Sequence, residues 1–214
     1  MDQRVVIPEL LDHLPANDPT ALRSRRDLRR INFLMGNERW VCRTVSRFAD
    51  EANRGIVEIG AGDGILCNKL ARLFPQTAVA AFDLAPEPVN LAAQVAWHCG
   101  DIFTMPAPTT GGVLVANLFL HHFEGESLTS LGRWFQNFEL LVFNEPDRAA
   151  LPHLLGGLMH PWINGVTRHD MHVSIRAGFA AGEITRLLGL DPNRWRTSES
   201  STWRGARRVV VCRT

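Results

Sequence analysis

Val57-Glu58-Ile59-Gly60-Ala61-Gly62-Asp63-Gly64 links a short apolar run, GIVEIG (55–60), to ILCNKLARLF (65–74). In the second segment Ile65, Leu66, Leu70, Leu73 and Phe74 fall on helical spacing. A second β-rich run, AVAAFD (78–83), follows. Strand, glycine turn, helix and strand make one βαβ unit, and open α/β sheets bind ligands at the carboxyl ends of such strands. Glycines at that turn permit a positive φ and a close approach of ligand to main chain, while the next helix offers free N–H groups.

Outward from this unit the alternation continues. A helix is expected at about 86–94, a strand around Val95–Cys99, a strand in GGVLVANL (111–118), a helix over about 124–136 and a strand in ELLVFNE (139–145). Beyond Pro146, residues 147–175 mix helix with Pro, Gly and His and read as a cap insertion, and 177–189 read as an amphipathic helix with Ile184, Leu187 and Leu188 inward. RWRTSES (194–200) and ARRVVVCR (206–213), joined through Gly205, read as an antiparallel hairpin. The expected fold is α/β: a Rossmann-like, seven-stranded, mostly parallel sheet with helices on both faces and a C-terminal hairpin. Residues 1–54 form a helical prefix, with helices near 20–30 and 37–52 separated at Gly36, that belongs to the same domain as 55–214 and covers the ligand pocket.

Composition narrows the function classes. A 214-residue chain with 45% hydrophobic and 21% charged residues fits one globular domain. A net charge of +1 selects no polyanionic partner, and nucleic acid is not expected. RSRRDLRR (23–30) is the one dense charge run and reads as a solvated helix face. Cys42, Cys67, Cys99 and Cys212 are too scattered for a redox or zinc motif. The opening MDQRVVIPELLDHLP lacks a charged segment followed by an apolar run, and no stretch approaches the roughly 18 apolar residues of a membrane span, so a cytoplasmic protein without membrane contact is expected.

The glycine run disfavours a dinucleotide fingerprint, since G-x-G-x-x-G/A counted from Gly60 ends on Ile65, and a dehydrogenase would need Ile65 in place of the third small residue. Instead Glu58 followed by GAGDG resembles the first motif of class I S-adenosylmethionine-dependent methyltransferases. Asp83, about twenty residues on at the end of the second strand, suits a ribose diol. Gly100-Asp101-Ile102-Phe103 resembles that family's adenine contact. The resemblance implies a cofactor site of Glu58, Gly60, Ala61, Gly62, Gly64, Asp83, Leu84, Asp101, Ile102 and Asn117, with S-adenosylmethionine as donor and S-adenosylhomocysteine as product.

Val115-Ala116-Asn117-Leu118-Phe119-Leu120-His121-His122-Phe123 resembles the LHHF-type segment of quinone and polyketide small-molecule methyltransferases, although Gly111-Gly112 replaces the aspartate that often begins this strand. No N-P-P-Y or D-P-P-Y pattern is present, which disfavours methylation of planar nitrogens. The expected acceptor is therefore a phenolic, enolic or quinone/polyketide-like small molecule, methylated on oxygen or carbon. Such an acceptor gains from a base, and a neutral histidine suits that task. His121, His122 and His169 are the candidates. Asn144 and Glu145 at the fifth strand end, with Arg168 and Arg30, are candidate acceptor contacts; Arg29 and Asn32 lie in the LRRIN segment that recurs in related bacterial enzymes. His153, His160, His169 and His172 lack a recognisable ligand spacing, so no metal is expected. Oligomeric state is left open, a homodimer included. The alternatives are an RNA or protein methyltransferase and a catalytically silent cofactor-binding partner subunit.

Overall fold

The computed structural model describes residues 3–15, 17–109, 111–149 and 163–214. Its seven strands are β1 (Ile56–Ile59), β2 (Val79–Asp83), β3 (Val95–Cys99), β4 (Val113–Asn117), β5 (Leu140–Pro146), β6 (Trp195–Ser201) and β7 (Ala206–Arg213), in one sheet of order β3-β2-β1-β4-β5-β7-β6. β1 to β5 run parallel, and β7 lies antiparallel to both β5 and β6. The expected Rossmann-like sheet with its C-terminal hairpin is thus present.

The central strands are buried on both faces, and their side chains alternate between two cores with period two. Val57, Ile59, Leu114, Ala116, Leu141 and Phe143 face α5 (Gly125–Trp134) and α7 (Glu183–Leu187). Ile56, Val113, Val115, Leu140 and Val142 face α2 (Asn37–Arg47) and α4 (Ile65–Leu73), meeting Val41, Val45, Leu66 and Leu70. Strand order reverses between β1 and β4, so their carboxyl ends open a crevice at the switch point.

The prefix holds α1 (Pro19–Met35), α2 and the short α3 (Ala49–Ala52). Asp18 caps α1 by accepting from the N–H groups of Thr20 and Ala21 at 2.7 and 3.1 Å, with Pro19 in the first turn. At the other end Arg204 and Arg208 donate to the carbonyls of Leu34 and Met35, two of the acceptors a helix terminus leaves unpaired. The hairpin therefore braces the C-terminus of α1.

Two expected helices differ. Residues 86–94 form turns and extended chain, because Pro86 and Pro88 supply no N–H and the Asn68 amide holds the segment, donating to the Asn90 carbonyl and accepting from Ala92. The helix expected over 177–189 shrinks to α7: the Phe179 N–H donates to the Pro146 carbonyl at 3.0 Å, which holds residues 178–179 against the end of β5. In the cap region, α6 (Gly165–Ala177) is the described helix, and the remainder of the expected insertion, with His153 and His160, lies outside the described residues. Among the described residues no helix is long and apolar enough to cross a membrane.

Gly112, one of the two glycines in place of the often-seen aspartate, packs against the main chain of Gly55; a Cβ there would lie 1.9 Å from the Gly55 carbonyl oxygen. Gly112→Ala must push β4 away from the entry to β1, and a loss of about 1–3 kcal/mol is expected from such overpacking. Urea unfolding checks this: the midpoint should fall at unchanged slope, and a wild-type midpoint would show that the strands separate freely.

Candidate functional site

The site begins at the turn after β1. Gly60 has φ +66°, and a Cβ there would meet the Phe119 ring at 2.2 Å, so the residue must be glycine both for conformation and for space. The Gly60 N–H donates to the Phe82 carbonyl at 2.8 Å. One oxygen of Asp83 accepts from the Gly62 N–H and the other from the Ala85 N–H, each at 2.7 Å. Asp83 thus holds the glycine turn to the end of β2 while keeping lone pairs directed outward.

Glu58 lies below this turn, almost fully buried, and accepts from the Cys67 thiol at 2.7 Å. Burial pushes its pKa up to about 8; the thiol hydrogen bond opposes the rise, and the neighbouring charges of Glu38, Asp63 and Asp83 add to it. Burial pushes the Cys67 thiol up as well.

The second half of the site is organised by Glu145, which has no solvent exposure. Its Oε1 accepts from the N–H groups of Phe119 and Leu120 at 3.0 and 2.8 Å, and its Oε2 from the His121 N–H at 3.3 Å. Oε2 also pairs with His121 Nδ1 at 2.8 Å. On the other side of the ring, His121 Nε2 faces Glu9 Oε1 at 3.6 Å, and Ser174 of α6 donates to that same oxygen. Burial disfavours the charged imidazole, but hydrogen bonds and attraction from Glu145 and Glu9 prevail and raise its pKa to about 9. Burial and the charge on His121 hold His122 down at about 4, so His122 stays neutral. Its ring lies 4.2 Å from that of His121. Leu118, which opens this turn, has φ +57° and is the one non-glycine residue with positive φ among the described residues; such strain gathers at functional sites.

One cavity of about 1290 Å³ connects the two halves, running from Gly60 and Gly62 past Asn117 to Glu9, His121 and His122. Its roof is α1, which contributes Leu22, Leu28, Ile31 and Met35, and α6 adds Met171 and Ile175. Arg29 pairs with Asp63 at 3.3 Å across the mouth.

The expected residues distribute unevenly around this space. Glu58, Gly60, Ala61, Gly62, Asn117, His121 and His122 line it. Gly64 starts α4. Asp101 is exposed at the end of β3, capping the Phe103 N–H at 3.0 Å, whereas Ile102 is buried in the core and Leu84 is exposed. Asn144 is fully buried and its side-chain amide donates to Oδ1 of Asn117 at 2.8 Å, so it and Glu145 stand behind the wall rather than in it. Three of the expected residues lie elsewhere. His169 is half exposed and bonded to Asp170 at 3.0 Å; Arg168 folds back onto the Ile163 carbonyl; Arg30 is largely exposed and reaches Asp27. None of the three lines the cavity, because α6 turns Met171, Ser174 and Ile175 inward instead. Glu9 and Ser174 were not foreseeable, since no motif surrounds either and 112 residues separate Glu9 from His121.

Residues 56–137, which carry both halves of this crevice, match the family model described as "Methyltransferase domain". That match spans 82 of the 214 residues. Over 77 residues the chain is 29% identical to the malonyl-[acyl-carrier protein] O-methyltransferase of Bacillus cereus, a match covering 33% of this chain and 29% of that protein. Among solved structures it resembles the plantazolicin methyltransferase BamL in complex with a triazolic desmethylPZN analog and SAH, with a TM-score of 0.70, 10% identity, and 95% and 92% of the two chains covered. It also resembles magnesium protoporphyrin IX methyltransferase (ChlM) from Synechocystis PCC 6803 with bound SAH, with a TM-score of 0.59, 15% identity, and 93% and 97% covered. At such identities these two likenesses establish the fold.

The buried acid Glu58 yields a pH prediction. Below about 4.5 Glu58 is neutral in both folded and unfolded chains; between 4.5 and about 8 it is ionised only when unfolded, so the ligand-free protein loses stability as pH rises through that window. Glu58→Gln keeps an acceptor for Cys67 and removes the titration. Its melting temperature relative to wild type should climb from pH 5 to pH 8, and a constant difference would discard the buried-acid description.

Proposed function

We propose that the chain is a class I S-adenosylmethionine-dependent methyltransferase, which transfers the methyl group of S-adenosylmethionine to an oxygen or carbon nucleophile of a small, largely apolar acceptor of phenolic, enolic or quinone/polyketide-like character. The observation that carries this reading is the single cavity joining the glycine turn to the histidine wall under the apolar face of α1. The cofactor takes the half formed by Glu58, Gly60, Ala61, Gly62 and Gly64, with Asp83 for its ribose, Leu84, Asp101 and Ile102 for its adenine, and Asn117 beside the sulfonium. A cationic amino-acid end placed near Glu58 would favour the ionised carboxylate and draw its pKa down. The acceptor takes the other half, against Met171, Ile175 and the histidines. The relatives support this choice of class: one is named for O-methylation of a carrier-bound acyl group and another was solved with a triazolic desmethylPZN analog.

Methyl transfer from a sulfonium is an in-line displacement by a nucleophile on a cationic donor, so enclosure and alignment are the main requirements and contribute up to about 7–11 kcal/mol in favourable cases. The nucleophile forms its bond to the methyl carbon as the carbon–sulfur bond breaks, and neutral S-adenosylhomocysteine leaves. For a hydroxyl acceptor the Glu9, His121 and His122 wall orients the group and assists loss of its proton, an effect typically of about 10²–10⁴-fold.

Asp83→Asn keeps one of the two oxygen acceptors, turns an NH2 toward the other main-chain N–H, and removes the charge available to a ribose diol. S-adenosylhomocysteine affinity should fall about 10–100-fold, the range of a charge-assisted hydrogen bond. Calorimetry with S-adenosylmethionine, S-adenosylhomocysteine and NAD tests it. Unchanged affinity in a folded variant would remove Asp83 from the site, and wild-type binding of NAD alone would overturn the whole reading. In an acceptor screen, His122→Ala should lower turnover by more than tenfold while S-adenosylhomocysteine affinity stays at the wild-type value; loss of both would move His122 to the cofactor half.

A further inference from the structure

We infer that Glu9, His121 and His122 form a binding site for one divalent transition-metal ion of the zinc or iron(II) kind, set in the acceptor wall of the cavity. One ligand atom from each of the three residues lies within 4.8 Å of the other two, so small side-chain adjustments bring all three to a common centre about 2.0–2.2 Å away. Two imidazoles and one carboxylate match the preference of these ions, and leave coordination positions open.

Two of the donors face each other. With Nδ1–H of His121 given to Glu145 at 2.8 Å, the Nε2 side of the ring faces Glu9, and an ion bound there would displace the Nε2 proton of the charged imidazole. A carboxylate behind a ligating histidine is the recurrent partner that fixes its tautomer and orientation. The separation of 3.6 Å between His121 Nε2 and Glu9 Oε1 is too long for a good hydrogen bond, and it matches two ligands sharing one ion. Glu9 is fixed by Ser174 and by an N-terminal segment that is itself tied down: Asp170 accepts from the Leu10 and Leu11 N–H groups, and Arg4 donates to the Ala177 and His121 carbonyls. Behind the cluster lies a cavity of about 200 Å³, lined by Glu9, Asp12, His121 and His122, with room for water on the ion. In front, the same three residues line the large cavity on the side facing Asn117.

The ion's place in the reaction rests on the reading given above; its binding does not. Bound there, it would accept the acceptor's hydroxyl or enol oxygen at an open position, and the proton would leave to water. The oxygen or its conjugated carbon would then attack the methyl carbon as the carbon–sulfur bond breaks, with no change in the metal's charge.

The test uses untagged full-length protein freed of metal with a chelator. Zn²⁺ is titrated by calorimetry and Co²⁺ by visible absorption, with neither cofactor nor acceptor present. One equivalent of Zn²⁺ should bind, Co²⁺ should give the intense bands of a four- or five-coordinate site, and Mg²⁺, which disfavours imidazole, should give no heat. Glu9→Gln and His122→Ala should each weaken Zn²⁺ at least a hundredfold while melting temperature and S-adenosylhomocysteine binding hold. Glu9→Gln is nearly isosteric, and so covers a failure of the histidine variant to fold. No stoichiometric Zn²⁺ binding by wild type, or wild-type binding by Glu9→Gln, would overturn the inference. S-adenosylhomocysteine binding without Zn²⁺ binding would refute the metal site alone; the converse would refute the functional reading alone.

Discussion

The buried carboxylate of Glu145 is the constraint on which the rest of the site hangs. It sits at the end of β5 without solvent contact and accepts from three consecutive main-chain N–H groups and from the His121 ring. A carboxylate removed from water is costly unless its lone pairs are filled, and here backbone donors fill them. That demand curls the chain after β4 into a tight turn. The turn places Phe119 against Gly60, so the glycine turn and the histidine wall have fixed positions relative to each other. Leu118 at φ +57° absorbs the strain, with its N–H donating to the Asn144 carbonyl at 2.8 Å.

The roof is attached to this frame chiefly by arginines and buried polar groups. Arg204 and Arg208 reach the end of α1, Arg4 ties the N-terminal segment to α6 and to the histidine turn, and its guanidinium lies 4.5 Å from the Phe179 ring centre. Asp27 of α1 accepts from the Asn164 N–H at 3.1 Å, and Ser24 meets Thr167 at 2.8 Å, joining α1 to the start of α6. The arginine-rich composition, which carries little meaning as a sequence statistic, thus serves in part to satisfy exposed helix-end carbonyls. A planar guanidinium with five donors can bridge two such acceptors, and an ammonium does so less well.

The two halves of the cavity also differ in charge. Around the glycine turn a buried acid held near neutrality waits under a rim of acidic side chains. At the other end two carboxylates enclose one imidazole and leave its neighbour uncharged. The first arrangement suits a cationic donor, the second a polar acceptor group in an otherwise apolar chamber.

By itself the sequence determined the sheet, the order of its elements along the chain and the glycine turn after β1. These rest on local patterns: period-two apolar strands buried on both faces, a helix-spaced segment after Gly64, and glycines where the main chain must have positive φ or admit a ring. It misplaced the ends of helices, because Pro86, Pro88 and the pairing of Phe179 with Pro146 act against helical periodicity. Tertiary structure alone decided the acceptor end. Glu9, Ser174, His121 and Glu145 come from four distant segments, and nothing in the spacing of one announces the others. It also decided which members of α6 count, sending His169 and Arg168 to solvent and Met171 and Ser174 inward. The physical reason is that a strand-end turn is encoded by the residues within it, whereas a side-chain cluster exists only once separate elements have packed.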